Sequence, residues 1–419
     1  MRILFISFFY PPIKAIATVR TWNVCKALIA AGHTVQIVTV DSNEIAKERL
    51  ESVPGFNEAA SSELYSELRV PSPWPVLHGG QPAPSKGSIY LSIEKLFARI
   101  FSKLSIWSGF DPMILWALEV WRWIRTKTDV DLVLISGGPF SSFFPGYYLS
   151  RRLGCPLVLD YRDVWNNSPH TKFRISTRTV ERRLLRHSKL VTAVSPSCLT
   201  SILGCEGRPS AVVTNGVSEQ VYQYRCHHLQ PSESLVVYAG ALYPPKRSIE
   251  PFFDALVKFL EKRGGRNNIG FLYLGPSVDY VQEAARFYGL AEIVECKGIV
   301  SHEEALRTQA KALVTLVITT IEDEANEADR GILTGKLFEA IELARNVLVI
   351  SPANSDARTL TAGMKHVRHF TGTQHAGMAQ WLEELFNTPF VLEPPRPRYF
   401  AWEELGARFA KHLNGIGNT

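Results

Sequence analysis

The fold class is decided by the first stretch of the chain, Met1–Val40, which reads MRILFISFFYPPIKAIATVRTWNVCKALIAAGHTVQIVTV. An apolar run predicts a strand over Ile3–Phe8, and a segment with helical periodicity predicts a helix over Val19–Ala31, which Gly32 ends. A second apolar, β-branched run predicts a strand over Thr34–Val40. Strand, helix and strand in this order are typical of a βαβ unit in a parallel sheet.

The same alternation continues along the whole chain and occurs twice. In the first half, the further predicted strands are Leu132–Ser136, Leu157–Asp160 and Leu190–Val194. In the second half, the predicted strands are Leu235–Ala239, Phe271–Leu274, Leu313–Thr319 and Val347–Ser351, and the predicted helices are Glu250–Lys262, Val281–Tyr288, His302–Ala310 and Lys336–Leu343. Repeated alternation of this kind predicts two α/β domains, each built on a doubly wound parallel sheet.

The length of 419 residues also favours two domains, because single hydrophobic cores stop growing at about 250–300 residues. We expect a first domain over residues 1–213 and a second over residues 214–397. An amphipathic segment, Trp402–Leu413, follows the proline-rich linker Glu393–Pro397. We expect it to form a C-terminal helix that crosses back, so that residues 398–419 complete the first domain.

The amino-acid composition and net charge limit the kinds of molecule that the protein is expected to bind. The chain is 46% hydrophobic and 21% charged, which is typical of a globular protein. Its net charge of +6 favours anionic partners such as nucleotide phosphates or acidic lipid headgroups. Nucleic acid is not expected, because no zinc finger, RNP-type aromatic strand or basic-leucine repeat is present. The six scattered cysteines favour a reducing cytoplasm, and no apolar run approaches the ~20 residues that span a bilayer.

A set of short motifs follows the predicted strands in a fixed order. The first half contributes MRILFISFFYPP from Met1, Arg20, GHTVQIVTV from Gly32, SGGPFSS from Ser136, LVLDYRDVW from Leu157, TAVSPS from Thr192 and VVTNGV from Val212. The second half contributes VYAGALYPPKR from Val237, KGIVSHEEA from Lys297 and GILTGKLFEAIE from Gly331. In this order and spacing, over most of the chain, they resemble family-4 glycosyltransferases. The resemblance implies the GT-B fold, in which two Rossmann-like domains face each other across an active-site cleft.

The resemblance also implies an activity: a retaining hexosyltransferase that is independent of metal and has no cofactor besides its donor substrate, a nucleotide-diphosphate sugar. The expected acceptor is a glycan or a lipid-linked sugar, and the expected setting is bacterial surface polysaccharide biosynthesis in the cytoplasm, peripheral on the inner face of the membrane. Two alternatives stay open. One is a non-hydrolysing sugar-nucleotide epimerase, which shares the two facing lobes, and the other is a catalytically silent partner that binds a sugar nucleotide.

The segment GILTGKLFEAIE is the predicted donor site. A nucleotide-diphosphate leaving group is negatively charged, and here a loop runs directly into a helix whose first N–H groups would point at a phosphate. The residues expected to bind the donor in this segment are Thr334, Gly335, Lys336 and Leu337. The resemblance assigns Glu339 to the ribose hydroxyls. It leaves the contact to the sugar unassigned, because Gly331 stands where the family often has glutamate, with Glu327 and Asp329 as nearby candidates.

A second group of donor-binding residues follows two predicted strand ends. In AGALYPPKR the family's glycine-rich strand end is matched by Gly240, while Ala241 stands where the family has arginine. Lys246 falls at the family's lysine position, and we expect it to hold the diphosphate with help from Arg247. Gly298 in KGIVSHEEA completes the predicted donor-binding set.

In the first domain the candidate residues lie on the loops after predicted strands, where open α/β sheets bind ligands. Lys14 and Arg20 are expected near the cleft. Arg162 and Asp163 stand where the family often has a His-Asp pair, so they are predicted as catalytic, although a structural ion pair between them is an equal alternative. Asp160 or Asp163 could position the acceptor hydroxyl or accept its proton.

Two segments bear on membrane contact. Ile89–Trp107 predicts an amphipathic helix, for which packing on the domain core is favoured over a place at a membrane interface. Arg178, Arg182, Arg186 and Lys189 follow helical spacing and favour contact with anionic lipid or a lipid-diphosphate acceptor, against the alternative of a solvated face. Metal binding is not expected, because no Asp-x-Asp motif stands at a suitable strand end. Cys226-His227-His228 is too compact to supply several ligands to one ion and is expected to be a surface turn.

Overall fold

The computed structural model describes residues 1–42, 45, 50, 56, 61–72, 111–167, 175–202, 204–225, 234–263, 269–325, 327–388 and 396–417. The predicted Ile89–Trp107 helix and the Cys226–His228 turn lie outside the described residues. The chain divides into two compact units, Met1–Thr214 with Trp402–Thr419, and Asn215–Ala401.

The first unit is a seven-stranded, wholly parallel sheet in the order β3-β2-β1-β4-β5-β6-β7. Its elements are β1 (Arg2–Ile6), α1 (Ile16–Ala30), β2 (Thr34–Val40), β3 (Tyr65–Val70), α2 (Ile114–Ile124), β4 (Leu132–Ser136), α3 (Phe143–Leu153), β5 (Leu157–Tyr161), α4 (Ile175–His187), β6 (Leu190–Ala193), α5 (Pro196–Ser201) and β7 (Ser210–Val212). Every residue of β4, β5 and β6 is buried. Continuous apolar strands of this kind are typical of a parallel sheet that is covered on both faces.

The second unit is a six-stranded, wholly parallel sheet in the order β10-β9-β8-β11-β12-β13. Its elements are α6 (Glu219–Tyr222), β8 (Ser234–Ala239), α7 (Glu250–Arg263), β9 (Ile269–Leu274), α8 (Val278–Phe287), β10 (Val294–Gly298), α9 (His302–Lys311), β11 (Val314–Ile318), α10 (Glu327–Arg330), α11 (Gly335–Leu343), β12 (Val347–Ile350), α12 (Asp356–Leu360), β13 (Val367–Phe370) and α13 (His375–Asn387). The predicted α/β class, with two doubly wound parallel sheets, is confirmed.

The last helix, α14 (Trp402–Gly417), packs against α1 of the first unit, as predicted for a segment that crosses back. The two helices approach closely because Gly406 has no side chain. A Cβ built on Gly406 would lie 2.4 Å from the Cβ of Ala27. A small residue at each position therefore sets the distance between the two helices.

The strands that the sequence did not predict are the four at the sheet edges, namely β3, β7, β10 and β13. An edge strand has only one neighbour and exposes more of its surface, so it does not need a continuous apolar run. The strand β10, with the sequence VECKG, illustrates this because it contains two charged residues and none of its five residues is fully buried. Hydrophobic runs reveal the interior of a sheet and leave its edges unmarked.

Candidate active site

A glycine and a lysine meet at the carboxyl end of β8. Gly240 follows this strand and has a φ of +143°, and its carbonyl accepts a hydrogen bond from the Tyr273 hydroxyl at 2.9 Å. A Cβ built on Gly240 would lie 1.6 Å from Nζ of Lys336. The ammonium group therefore rests against the backbone of Gly240, in space that any larger residue would fill.

The helix α11 begins beside this ammonium group. Thr334 caps it, since its Oγ1 accepts a hydrogen bond from the amide of Leu337 at 3.3 Å. The first amides of a helix lack a partner inside the helix and carry partial positive charge. Gly335 has open space beside its Cα. The structure thus brings together the four predicted donor-binding residues of this segment at one helix start, an arrangement suited to phosphate.

A second cation approaches the same place. The half-buried Arg247 lines a small cleft together with Tyr238, Thr334 and Lys336. Its Nε donates to the carbonyl of Thr319 at 3.4 Å. Desolvation, followed by repulsion from the Arg247 guanidinium, lowers the pKa of Lys336. Two positive groups held this close are unfavourable by themselves and become favourable when an anion is bound between them.

Lys246 makes a different contact from Arg247. Its exposed ammonium lies 2.6 Å from Oδ2 of the buried Asp329, and this hydrogen bond raises the pKa of Lys246. The backbone of Lys246 is also held, because its carbonyl accepts from the amide of Ile321 at 2.9 Å. The candidate sugar-contacting acid Asp329 is therefore engaged by the lysine predicted to hold the diphosphate. The side chain of the other candidate, Glu327, lies outside the described residues.

The predicted ribose ligand, Glu339, is oriented by a histidine. Its Oε1 lies 2.9 Å from Nε2 of His302, the first residue of α9. The Glu339 side chain is 23% exposed. Nearby in the sequence, Gly298 ends β10 with a φ of +74°, and Ile299 is 80% exposed. One of the two Glu339 carboxylate oxygens is thus fixed by a protein partner.

Glu342, three residues after Glu339, has a separate structural role. Its side chain is fully buried. It pairs with the Arg225 guanidinium and accepts a hydrogen bond from the amide of Phe400 at 2.6 Å. Glu342 therefore ties together segments within the second unit.

In the first unit, Arg20 and Asp160 bind each other. The Arg20 guanidinium donates to both Asp160 oxygens, at 3.0 and 2.7 Å, and their side chains are 1% and 3% exposed. Arg20 also donates to the carbonyl of Val213 at 2.8 Å, and Asp160 accepts from the hydroxyls of Ser136 and Thr192. Burial alone would raise the pKa of Asp160, but Arg20 and these hydroxyls outweigh it and lower the pKa.

This buried pair changes the interpretation of both residues. The prediction placed Arg20 near the cleft and gave Asp160 a contact with the acceptor, whereas their bonds join β4, β5 and β6 to the segment after β7. A carboxylate whose oxygens are already occupied by a guanidinium and two hydroxyls is poorly placed to accept a proton. This geometry supports a structural role for the pair.

Arg162 and Asp163 both lie beside Gly138, since a Cβ built on Gly138 would be 3.3 Å from Nη2 of Arg162 and 3.9 Å from Oδ2 of Asp163. Nε of Arg162 donates to the carbonyl of Gly137 at 2.7 Å, and its Nη2 donates to that of Gly138. Burial lowers the pKa of Arg162 to about 10, against the opposing effect of Asp160 and Asp163. Arg162 thus fixes the loop after β4, while Asp163 is exposed. Lys14, on the loop after β1, is also exposed.

Two contacts of these sites were not predicted. His302 lies within the quoted motif KGIVSHEEA, but its partner Glu339 is 37 residues away and could not be inferred from spacing. Asp329 was a candidate, but its bond to Lys246 spans 83 residues. Among the residues that the structure describes, no three His, Cys, Asp or Glu side chains form a group that could hold a metal ion. Metal independence stays a prediction.

The pair of Rossmann-like units defines the GT-B class of fold, and solved structures of that class match the chain. Sucrose-phosphate synthase from Thermosynechococcus elongatus is 14% identical, with a TM-score of 0.58 over 99% of this chain and 94% of that one. The lipopolysaccharide outer core galactosyltransferase WaaB is 11% identical, with a TM-score of 0.56 over 99% of each chain. UDP-GlcNAc 2-epimerase from Methanocaldococcus jannaschii is 11% identical, with a TM-score of 0.52 over 99% of this chain and 100% of that one.

At these identities the likeness shows the fold alone. Residues 17–221 match the family model of Glycosyltransferase Family 4. This match, over just under half of the chain, confirms the resemblance to family-4 glycosyltransferases that the motifs show. No curated protein matches the sequence, and no helix among the described residues is long and apolar enough to cross a membrane.

Proposed function

We propose that this protein is a retaining, metal-independent hexosyltransferase that moves a sugar from a nucleotide-diphosphate sugar onto a glycan or lipid-linked acceptor. The observation that carries the proposal is the cationic cradle formed by Arg247, Lys336 and the start of α11 over Gly240. A diphosphate bound there would relieve the repulsion between the two cations and accept hydrogen bonds from the helix amides.

The same cradle provides the main catalytic effect that we propose. When the bond between the sugar C1 and the phosphate oxygen breaks, negative charge grows on the diphosphate. Fixed cations and amides stabilise that charge more strongly in the transition state than in the ground state. Cationic side chains would then provide the charge neutralisation that a divalent ion supplies in metal-dependent transfer.

The remaining roles follow from the positions of the acidic side chains. Glu339, held by His302 on one oxygen, would present the other oxygen to the ribose hydroxyls. Asp163, exposed on the loop after β5, would orient the acceptor hydroxyl. In the front-face route that gives retention, the acceptor oxygen bonds to C1 on the side from which the phosphate leaves. The acceptor proton passes to an oxygen of the departing diphosphate.

We place this reaction in bacterial surface polysaccharide biosynthesis, in the cytoplasm and peripheral on the inner face of the membrane. Two observations support an anionic, membrane-proximal setting: the net charge of +6, and the exposed basic residues Arg182, Arg186 and Lys189 on and beside α4. Anionic lipid on the cytoplasmic leaflet attracts such basic clusters.

The experiment combines a panel of nucleotide sugars with two variants. Thermal shift identifies the donor, and steady-state kinetics then compares wild type with Glu339→Ala and Lys336→Ala. We expect each variant to lose at least about tenfold in kcat/KM, a change of about 1.4 kcal/mol in transition-state binding. The matched control is Lys262→Ala, which removes an exposed lysine that pairs with Glu383 at 3.6 Å in the same unit. Wild-type kinetics in both site variants would refute the assignment.

The epimerase alternative has one specific observation in its favour, the shared fold of the M. jannaschii UDP-GlcNAc 2-epimerase. It predicts conversion of a nucleotide sugar without any acceptor, which proton NMR of the donor mixture detects. A silent partner, in contrast, would bind a nucleotide sugar without turnover. Slow donor hydrolysis with release of nucleoside diphosphate, and no epimer, would exclude both alternatives.

A further inference from the structure

We propose that the solvent-facing side of α2, α3 and α4 in the first unit is the surface through which the protein binds an anionic lipid bilayer. This inference rests on the proposed membrane-proximal function and deepens it by naming the contact surface. We call it the α2–α4 surface, and we define it by an apolar groove, the arginines beside the groove and the basic side of α4.

The groove lies between α2 and α3 and has a volume of about 290 Å³. Its lining includes Ile114, Leu118 and Trp121 of α2 and Phe144, Pro145 and Tyr148 of α3. Leu118 and Tyr148 are each 52% exposed, and the Tyr148 ring is centred 5.8 Å from that of Trp121. Apolar side chains that are grouped and left exposed in this way are typical of an interaction site.

Both helices carry exposed arginines next to the groove. They are Arg122 on α2, Arg125 directly after α2, and Arg151 and Arg152 on α3. Each stands three, four or seven residues after Leu118 or Tyr148, a spacing that puts it on the same side of its helix. Arg122 also pairs with Glu119 on its own helix. This single carboxylate offsets the charge of only one of the four arginines. The groove is therefore bordered by positive charge.

The helix α4 extends this charge on the far side of α3. The two helices touch where Nε of Arg183 donates to the Tyr147 hydroxyl at 3.0 Å, and where Ser150 Oγ lies 3.0 Å from Nε2 of His187. The basic residues exposed on and beside α4 are Arg182, Arg183, Arg186 and Lys189. Its acidic residue, Glu181, is buried and adds no negative charge to this side. The three helices thus offer one continuous basic and apolar surface.

An anionic bilayer matches both parts of this surface. Leu118 and Tyr148 can enter the boundary between headgroups and acyl chains, while arginine stems lie along it and their guanidinium groups reach the lipid phosphates. A soluble anion would leave the apolar groove without a function, and a wholly apolar partner would leave the arginines unmatched. Charge and apolar exposure together therefore select the lipid surface.

The experiment measures sedimentation of the full chain with vesicles of phosphatidylcholine alone and vesicles containing phosphatidylglycerol. We expect binding to the anionic vesicles at low salt, and weaker binding at high salt because ions screen the attraction. The double variant Leu118→Ser/Tyr148→Ser should bind at least about tenfold more weakly, since it removes the apolar insertion. Arg125→Gln/Arg151→Gln should weaken binding and reduce its dependence on salt.

The matched control is Phe287→Ser, which removes an 84% exposed aromatic residue from α8 of the second unit. It should bind vesicles as wild type does. No binding of wild type to anionic vesicles, equal binding to both vesicle types, or undiminished binding of the Leu118/Tyr148 variant would each overturn the inference. So would loss of binding in Arg182→Gln/Arg186→Gln combined with wild-type binding of the Leu118/Tyr148 and Arg125/Arg151 variants, because the contact would then be confined to α4. Donor hydrolysis without vesicles tests the proposed function separately.

Discussion

At the scale of single residues, Gly240 shows how closely the backbone and the cationic side chains of the donor site pack together. The sequence predicted it as a donor-binding residue because it ends a strand in a recognisable motif. Its structural reason is different, since the space beside its Cα holds the ammonium of Lys336, which is 96 positions later. Local motifs identify such residues, whereas only the folded chain shows which distant group depends on them.

We expect Gly240→Ala to weaken nucleotide binding more than it weakens the fold. The new Cβ would displace the flexible end of Lys336, and the φ of +143° would strain an alanine by about 1–3 kcal/mol. Gly363→Ala separates the two effects, because Gly363 has a φ of +85° and open space around it. Nucleotide titration and thermal unfolding of both variants check this. Equal nucleotide affinity in Gly240→Ala and wild type would contradict the role of the displaced ammonium.

The candidate site was only partly predictable from the sequence. The helix start at Thr334–Leu337 was predicted because a loop that runs into a helix is a local feature. The pairing of Arg20 with Asp160 was not, because it joins side chains 140 positions apart. The same holds for Lys246 with Asp329. Motifs therefore identified residues near the site, but not which of them neutralise one another.

At the scale of elements, α4 contains a buried carboxyl group that links it to the loop after β5. Glu181 is fully buried and accepts hydrogen bonds from Tyr161 at 3.2 Å and Asn166 at 2.7 Å. The Thr177 hydroxyl in turn donates to Oδ1 of Asn166 at 2.6 Å. This network holds the segment that carries Asp163, so the helix positions a predicted catalytic residue indirectly.

We expect Glu181→Gln to stabilise the protein increasingly as the pH rises from 5 to 8. Burial raises the pKa of Glu181 from 4.5 to about 7, so the folded state keeps a proton that the unfolded state has lost. In wild type, this group therefore reduces stability as the pH rises through that window. Glutamine stays neutral and should gain about 1–3 kcal/mol at pH 8 relative to wild type. Denaturant unfolding at both pH values measures the difference, and a gain independent of pH would contradict burial of the carboxylate as its cause.

The interior and edge strands of the two sheets differ in how well the sequence predicts them. Each interior strand of the two sheets was predicted, because burial on both faces requires an apolar run. The short edge strand β7, Ser210–Val212, has two exposed residues and only one buried residue. Edge strands are defined by the neighbour they pair with, which is a tertiary property that local composition does not contain.

At the scale of the whole molecule, the packing of α14 on α1 decides how the first unit is completed. Gly406 and Gly415 both lie in α14, but their surroundings differ. A Cβ added at Gly406 would meet the Cβ of Ala27 at 2.4 Å, whereas a Cβ added at Gly415 would have nothing within 4 Å. The same substitution at the two positions therefore tests close packing against helix propensity within one element.

We expect Gly406→Ala to destabilise the protein by about 1–3 kcal/mol, since the added methyl group forces the helices apart. Gly415→Ala should be neutral or stabilise by up to about 1 kcal/mol, because alanine favours a helix over glycine. Hydrogen exchange should speed up in α1 and α14 of Gly406→Ala, while β8 to β12 stay unchanged. Equal effects of both substitutions would show that the close approach of the two helices is unimportant.

The crossing of α14 back to the first unit also has a consequence for biosynthesis. During translation, residues 1–214 are synthesised first, the entire second unit follows, and Trp402–Gly417 comes last. During that time the side of α1 around Ala27 has no covering helix and is open to water or to a chaperone. The nascent first unit must wait for the second to be translated, so a pause in translation late in the message would leave the earliest part of the protein unfinished.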